Sequence, residues 1–367
     1  MSNRLFYYSG NIPARQENQH LPGMKAFASF SRLISPATTI IDRSGTITTP
    51  FRTTVYAPIP PLRPSTKSYE DIAHDRVKEI FMRADALNTP LYVMWSGGID
   101  STMILALLLK QATVAQKKNI IVLMTEESIF ENPLFYAEYI QRQLKIESAT
   151  LFPYILGTKN VMVWGGNNEQ LFGPRILRAF IAKYGGDTLH KAFNKDILCD
   201  FYSVIKQNDE KGFEVSWGVL EGLIAASPVP IETFFDFFWW MSFSLKWQGS
   251  LLRPLTYASS KTAHGVTPEY MKTYFFQFYN TVDFQQWSLN NHDKKIRDSW
   301  ASYKWPCKEI IYEYTKDARY RDTKLSRDSL QELLLQRSPF LFMDDRFDME
   351  GDVNFSKYFQ AKNDFIA

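Results

Sequence analysis

Apolar positions change their spacing along the chain, and each spacing predicts a kind of element. From Tyr69 to Leu87 they recur every three or four residues, which predicts an amphipathic helix that ends before Pro90. Short runs follow in which nearly every residue is apolar, as is typical of strands buried in a parallel sheet. These runs are residues 91–95, 120–124 and 161–164, and a further strand is expected at residues 149–156.

Helical spacing returns between these runs and predicts helices at residues 102–111 and 133–144. Alternating strands and helices predict an α/β fold, a parallel sheet with helices on both faces. From about Lys191 onward the pattern becomes mainly helical and aromatic, and the aromatic run 234–241 predicts a buried helix.

The same patterns suggest three parts of the chain. Residues 1–65 hold strand-like runs such as 53–56 among turn residues and a proline-rich stretch, which suggests an extended strap. Residues 66–190 form the expected α/β core. Residues 191–367 form a mainly helical part that we expect to pack on that core.

Composition and charge narrow the class of protein. The 367 residues are 45% hydrophobic, which suffices for a core, and the net charge of +3 does not favour a broad nucleic-acid surface. Residues 294–297 and residues 319–324 leave a local basic patch open. Two distant cysteines indicate neither a zinc site nor a disulfide framework. No run of about 18 apolar residues and no signal peptide are present, so we expect a cytoplasmic protein without a membrane span.

Residues 96–101 are the strongest candidate for chemistry. Gly97 and Gly98 permit positive φ and let backbone N–H groups approach an anion, while the following helix adds its positive N-terminal end. Ser96 and Ser101 offer hydroxyl donors. Asp100 is unusual in an anion-binding loop, and it makes sense as a ligand of Mg²⁺ that bridges phosphates.

This loop resembles the SGGxDS motif of the PP-loop ATP pyrophosphatases, and it lacks the lysine of a Walker loop. The resemblance implies an adenine nucleotide alpha hydrolase-like fold, ATP and Mg²⁺, and release of AMP and pyrophosphate. Residues 164–173 resemble the second signature of the synthetase domain of asparagine synthetase. Residues 276–283, 308–311 and 321–324 resemble its later motifs in the same order. Asn167 and Asn168 stand where that family has its metal-binding acid.

The resemblance implies a ligase that activates a carboxylate as acyl-AMP and couples it to ammonia or an amine. The site residues that it implies for charge stabilisation and proton transfer are Lys324, Lys308 and Glu169. The residues expected to hold the nucleotide are Ser96, Gly97, Gly98, Asp100, Ser101, Met124, Gly165 and Gly166, with Asp100 as the metal ligand. Because Ser2 stands where the family's glutaminase has a cysteine, a separate glutaminase partner is one source of nitrogen. A homodimer is left open.

Two other classes compete with this hypothesis. A PP-loop enzyme that modifies a nucleobase or RNA by adenylation would need a basic groove beside the loop, for which residues 294–297 are the segment to inspect. A non-catalytic ATP-binding assembly protein would keep the loop and lose the chemistry. Asn167 and Asn168 in place of acids favour that second alternative.

Overall fold

The computed structural model describes residues 5–8, 10, 12–34, 39–206, 210–257, 266–297, 299–324, 341–343 and 348–350. Ser2 lies outside these residues. The chain forms two compact units. The first unit comprises Met1–Leu62, Glu169–Arg253 and Ser338–Ala367, and the second unit comprises Arg63–Asn168 and Pro254–Arg337. The three-part division expected from the sequence stays a prediction.

The described residues form eight strands and seventeen α-helices. The strands are β1 Leu5–Tyr7, β2 Leu91–Met94, β3 Ile120–Met124, β4 Lys145–Ser148, β5 Val161–Trp164, β6 Phe275–Gln277, β7 Leu341–Met343 and β8 Asp348–Glu350. The helices are α1 Met24–Ile34, α2 Tyr69–Leu87, α3 Ile99–Gln111, α4 Val114–Lys118, α5 Glu126–Glu131, α6 Pro133–Phe135, α7 Phe152–Ile155, α8 Asn168–Phe172, α9 Ile176–Tyr184, α10 Lys195–Lys206, α11 Glu210–Ala225, α12 Phe234–Leu245, α13 Trp247–Leu252, α14 Pro268–Thr273, α15 Val282–Asn290, α16 Trp305–Thr315 and α17 Ala318–Thr323.

Short turns of other helical types lie between these elements. A π-helical turn spans Tyr136–Ile140. Turns of 3₁₀ helix span Ile12–Ala14, Gln16–Asn18, Ala149–Leu151, Gly186–His190, Arg253–Tyr257, His292–Lys294 and Trp300–Ser302.

A five-stranded parallel sheet is the centre of the second unit, and it confirms the α/β fold. The strand order is β4-β3-β2-β5-β6, and each neighbouring pair is parallel. The chain moves outward through β3 and β4 on one side and through β5 and β6 on the other. The order therefore reverses between β2 and β5, and such a switch point opens a crevice at the carboxyl ends of the strands. The loop 96–101 follows β2 there, and Gly165 and Gly166 follow β5.

Most of the predicted elements around this sheet are confirmed. Helix α2 begins and ends where the apolar stripe predicted, with Ser68 as its N-cap. Strands β3 and β5 match their predicted runs. Helix α3 begins at Ile99, three residues earlier than predicted, so the second half of the loop is already helical.

The predicted strand at residues 149–156 is wrong. This segment is a 3₁₀ turn followed by α7, and the strand β4 precedes it at Lys145–Ser148. Pro153 explains the difference, because proline lacks the N–H that a sheet requires and fits the first turn of a helix. The helix expected at residues 133–144 is helical only to Ile140.

Other differences concern strands. Residues 53–56, which we expected to be strand-like, do not form a strand. Thr53 makes only an isolated parallel bridge with Leu5. Strand β6 was not predicted, because its three residues are too few to show a period, and two of them belong to the segment 276–283 that we assigned to a family motif.

The first unit is helical and aromatic, with a small antiparallel sheet in the order β1-β7-β8. Every side chain of α12 is buried, which confirms the buried helix predicted from the aromatic run. Thr233 and Asp236 cap its start reciprocally. Within the described residues, no helix has both the length and the apolar character that crossing a membrane requires.

Candidate nucleotide-binding site

The loop after β2 is a tight turn that is closed by its own serines. The Ser96 N–H donates to Ser101 Oγ at 3.0 Å, and the two serine hydroxyls lie 3.0 Å apart. The Gly98 N–H donates to Ser96 Oγ at 3.3 Å. The serines predicted as ligands therefore also fix the shape of the loop, which orders its backbone before any anion arrives.

Position 97 requires a glycine, because its backbone has a positive φ and because there is no room for a side chain. Its φ is +75°, and a Cβ at this position would lie 2.3 Å from the carbonyl oxygen of Ser128. Gly98 is the N-cap of α3, and it has no side chain that could cap the helix. The N–H groups of the first turn of this 13-residue helix thus point out of its positive end, which suits an anion.

Asp100 lies in that first turn, and its carboxylate is held by a lysine that sequence analysis missed. Lys304 Nζ donates to Asp100 Oδ1 at 2.8 Å and to Oδ2 at 2.7 Å. The Lys304 side chain is 4% exposed and the Asp100 side chain is 27% exposed, so the lysine is shielded from water while the carboxylate remains partly accessible. Asn168 Nδ2 also donates to Asp100 Oδ1, at 2.7 Å. The Asp100 carbonyl oxygen accepts a hydrogen bond from the Tyr279 hydroxyl at 2.9 Å.

A buried polar network fixes the orientation of Asn168. Its Oδ1 accepts from the Tyr69 hydroxyl at 2.8 Å, which turns its NH₂ group toward Asp100. Cys307 Sγ donates to the Tyr69 oxygen at 3.3 Å. Burial raises the pKa of Cys307 to about 12, and the negative Asp100 adds to the rise. The Cys307 thiol is therefore neutral at ordinary pH and supports the network rather than acting as a nucleophile.

The residues around Asp100 do not fit the Mg²⁺ that the family resemblance implies. Mg²⁺ requires oxygen ligands, whereas both Asp100 oxygens face the Lys304 ammonium and Asn168 presents N–H groups. Among the described residues, no group of three or more acidic, histidine or cysteine side chains could hold a metal ion. Asp100 as a metal ligand stays a prediction that this arrangement does not support.

Lys324 lies beside the loop, where it forms a second buried ion pair. Its Nζ donates to Glu131 Oε1 at 2.8 Å and to the Glu131 carbonyl oxygen at 3.1 Å. The Lys324 and Glu131 side chains are 9% and 2% exposed. Glu131 Cβ would be 2.8 Å from a Cβ on Gly97, so the pair packs directly against the loop glycines. Lys324 was expected from the sequence, whereas Glu131 was not.

Lys308 lies on α16, which packs against α3. It is fully buried, and its Nζ donates to the Ala301 carbonyl oxygen at 2.7 Å. Burial lowers the pKa of Lys308 to about 8, since the ammonium faces a neutral carbonyl instead of a carboxylate. The predicted Lys308 and the unpredicted Lys304 are thus one helical turn apart at the start of the same helix.

The remaining predicted nucleotide ligands in the second unit lie at the same edge of the sheet. A Cβ on Gly165 would be 3.6 Å from the Ser101 N atom, so the turn after β5 reaches the start of α3. A Cβ on Gly166 would be 2.7 Å from the Trp164 indole nitrogen. Met124 is buried at the carboxyl end of β3. These three positions border the crevice between the strands.

Glu169 belongs to the first unit. Its Oε1 accepts from the Arg175 N–H at 3.3 Å. Burial lowers the pKa of Lys246, and the negative Glu169 partly offsets this effect. The expected role of Glu169 toward an amine stays a prediction.

Two other features bear on the alternatives. Lys295 is fully buried while Lys294 and Arg297 are exposed, so residues 294–297 do not form a continuous basic surface. A cavity of about 230 Å³ lies at the amino end of β2, where Asn88 and Leu91 line it, away from the loop.

No family model, no curated protein and no solved structure matches this chain. What the site can do therefore rests on its own geometry.

Proposed function

We propose that the chain binds ATP at the loop 96–101 and cleaves it into AMP and pyrophosphate. The observation that carries this proposal is a preorganised glycine loop at the switch point of a parallel sheet. It opens on the N-terminus of α3 and has the Lys304 and Lys324 ammonium groups beside it. Backbone N–H groups and lysines are the donors that stabilise phosphate charge in phosphoryl transfer.

In the proposed reaction, a carboxylate oxygen of the substrate attacks the α-phosphorus of ATP. A bond forms between that oxygen and phosphorus, the bond from phosphorus to the bridging oxygen breaks, and pyrophosphate leaves. Gly97 and Gly98 bind the phosphates through their backbone, and Lys324 and Lys308 supply positive charge for the leaving group.

Ammonia or an amine then attacks the acyl carbon of the adenylate. The carbon–nitrogen bond forms, the carbon–oxygen bond to AMP breaks, and the nitrogen loses its proton to solvent or to a general base. The product is an amide, so the activity that we propose is that of an AMP-forming ligase of the asparagine synthetase type.

Exchange of radioactive pyrophosphate into ATP tests this proposal, with a panel of amino acids and dicarboxylates as substrates. We expect exchange, AMP as the nucleotide product, and a loss of about 100-fold in Lys324→Met, as for loss of one charge-stabilising donor. Lys272→Met changes an exposed lysine on α14 and is the control. Accumulation of ADP, or an unchanged rate in Lys324→Met, would contradict the proposal.

A second candidate is an ATP-binding protein without turnover. The engagement of Asp100 by Lys304 and Asn168 favours it, because the acid expected to handle a metal is already neutralised. Equilibrium dialysis with ATP, run beside the exchange assay, separates the two. Bound ATP with neither exchange nor AMP across the panel would favour the non-catalytic protein.

A further inference from the structure

The backbone of Lys304 adopts a conformation that lysine seldom adopts. Its φ is 58° and its ψ is 35°, in the left-handed region where glycine and asparagine are favoured. Residues strained in this way are concentrated at functional sites. The Lys304 side chain is almost entirely buried, and both ends of its backbone are held: its N–H donates to the Lys295 carbonyl oxygen, and its carbonyl accepts from the Lys308 N–H.

The ammonium of Lys304 is therefore placed with little freedom. Trp300 and Tyr303 stack at 4.2 Å just before it, and the Tyr303 ring lies 5.3 Å from Lys304 Nζ. The ammonium contacts both oxygens of Asp100 in the first turn of α3. A compact cation thus already contacts both carboxylate oxygens, which are the atoms that a divalent ion held by Asp100 would need as ligands.

The orientation of Asn168 agrees with this arrangement. An asparagine can ligate a metal through its oxygen, but Asn168 Oδ1 is committed to the Tyr69 hydroxyl. Its NH₂ group faces Asp100 and donates to it. Both neighbours of the carboxylate are hydrogen-bond donors, which suits an acid that is paired with a lysine and does not suit a metal ligand.

We propose that Lys304 supplies, at the phosphate loop, the positive charge that a protein-held divalent cation would otherwise supply. Nucleotide binding at this loop then does not depend on a metal held by Asp100, and Asp100 serves as a positioning residue for Lys304. This inference rests on the proposed function insofar as the ligand is ATP, while the pairing of Asp100 with Lys304 holds without it.

The first test uses Mn²⁺ alone, without nucleotide, and counts bound ions by electron paramagnetic resonance on the full chain. We expect wild type and Asp100→Asn to bind Mn²⁺ equally. A Mn²⁺ site present in the wild type and lost in Asp100→Asn would overturn the proposal, because it would show Asp100 to be a metal ligand.

The second test measures ATP affinity in EDTA and in excess Mg²⁺, by equilibrium dialysis. For the wild type we expect the two affinities to agree within about threefold, and for Lys304→Asn we expect a loss of about tenfold or more in EDTA. An affinity in Lys304→Asn equal to that of the wild type would overturn the proposal.

Lys316→Asn is the matched control for Lys304→Asn in the second test. Lys316 ends the same helix α16, is exposed, and also has a left-handed backbone, with φ of 59°. Both asparagine variants relieve the same backbone conformation, but only Lys304→Asn removes an ammonium from Asp100. If no variant binds ATP under either condition, the proposed function fails, while the Mn²⁺ titration still decides the role of Asp100.

Discussion

Three buried lysines near the loop differ in what their ammonium groups contact. The Lys304 ammonium contacts Asp100 and the Lys324 ammonium contacts Glu131, so each of these two groups has a carboxylate partner. Lys308 donates to a backbone carbonyl, and burial lowers its pKa to about 8. We therefore expect the free energy of unfolding to depend on pH because of Lys308 in particular.

The sign of this pH effect follows from linkage. Between about pH 8 and pH 10.5 the unfolded chain keeps the proton on Lys308 while the folded protein loses it, so the free energy of unfolding rises with pH. The rise attributable to Lys308 is up to about 3 kcal/mol. We expect urea denaturation to show that the wild type gains stability relative to Lys308→Met across this range.

Lys316→Met, which removes an exposed lysine from the same helix, is the control. Its stability relative to the wild type should stay nearly constant over the same pH range. Parallel pH profiles for the wild type and Lys308→Met would contradict the lowered pKa.

The loop was predictable at the residue scale, whereas its partners were not. Residues 96–101 are contiguous, so their spacing alone indicates a phosphate loop. The contacts of Asp100 and Glu131 with lysines join residues 204 and 193 positions apart. Nothing local marks Lys304 or Glu131, because the pairing depends on how α16 and α17 return to the sheet.

The conformation of the loop that joins β2 to α3 depends on one glycine, Gly97. Gly97→Ala would place a methyl group 2.3 Å from a backbone oxygen, at a residue with positive φ. Backbone cannot move aside as a flexible side chain can, so we expect a loss of about 2–4 kcal/mol in the free energy of unfolding. Urea denaturation followed by circular dichroism measures it.

Gly218→Ala is the matched change in an open position. Gly218 is exposed within α11, and a Cβ there meets nothing within 4 Å. Alanine should raise stability by up to about 1 kcal/mol, because it is the better helix former. A Gly97→Ala variant as stable as Gly218→Ala would show that the loop is not as tightly packed as described.

Elements with a long, clear period were predicted well, and short ones were not. Helix α2 carries its apolar stripe over 19 residues, and its bounds agree with the prediction. Strand β6 has three residues and is identified by its pairing with β5, which no local pattern encodes. The segment 149–156 is apolar enough for a strand, but Pro153 makes its backbone suit a helix.

At the scale of the whole molecule, each compact unit gathers segments that are distant in the sequence. The second unit joins Arg63–Asn168 to Pro254–Arg337 and holds both the loop and its lysines. Sequence patterns report contiguous segments, so they cannot indicate such an association, which depends on long-range contacts. A ligand bound at the loop should stabilise the second unit first.

Hydrogen exchange measured by mass spectrometry tests this expectation. With ATP at about 100 times its Kd, the free energy of opening should rise by about 2.7 kcal/mol, which slows exchange roughly 100-fold where amides exchange through that opening. We expect this slowing in β2 and α3. Helix α12 of the first unit, fully buried and capped, is the internal control and should exchange at an unchanged rate. Equal slowing in α12 would mean that the two units open together, and unchanged exchange in α3 would argue against ATP at the loop.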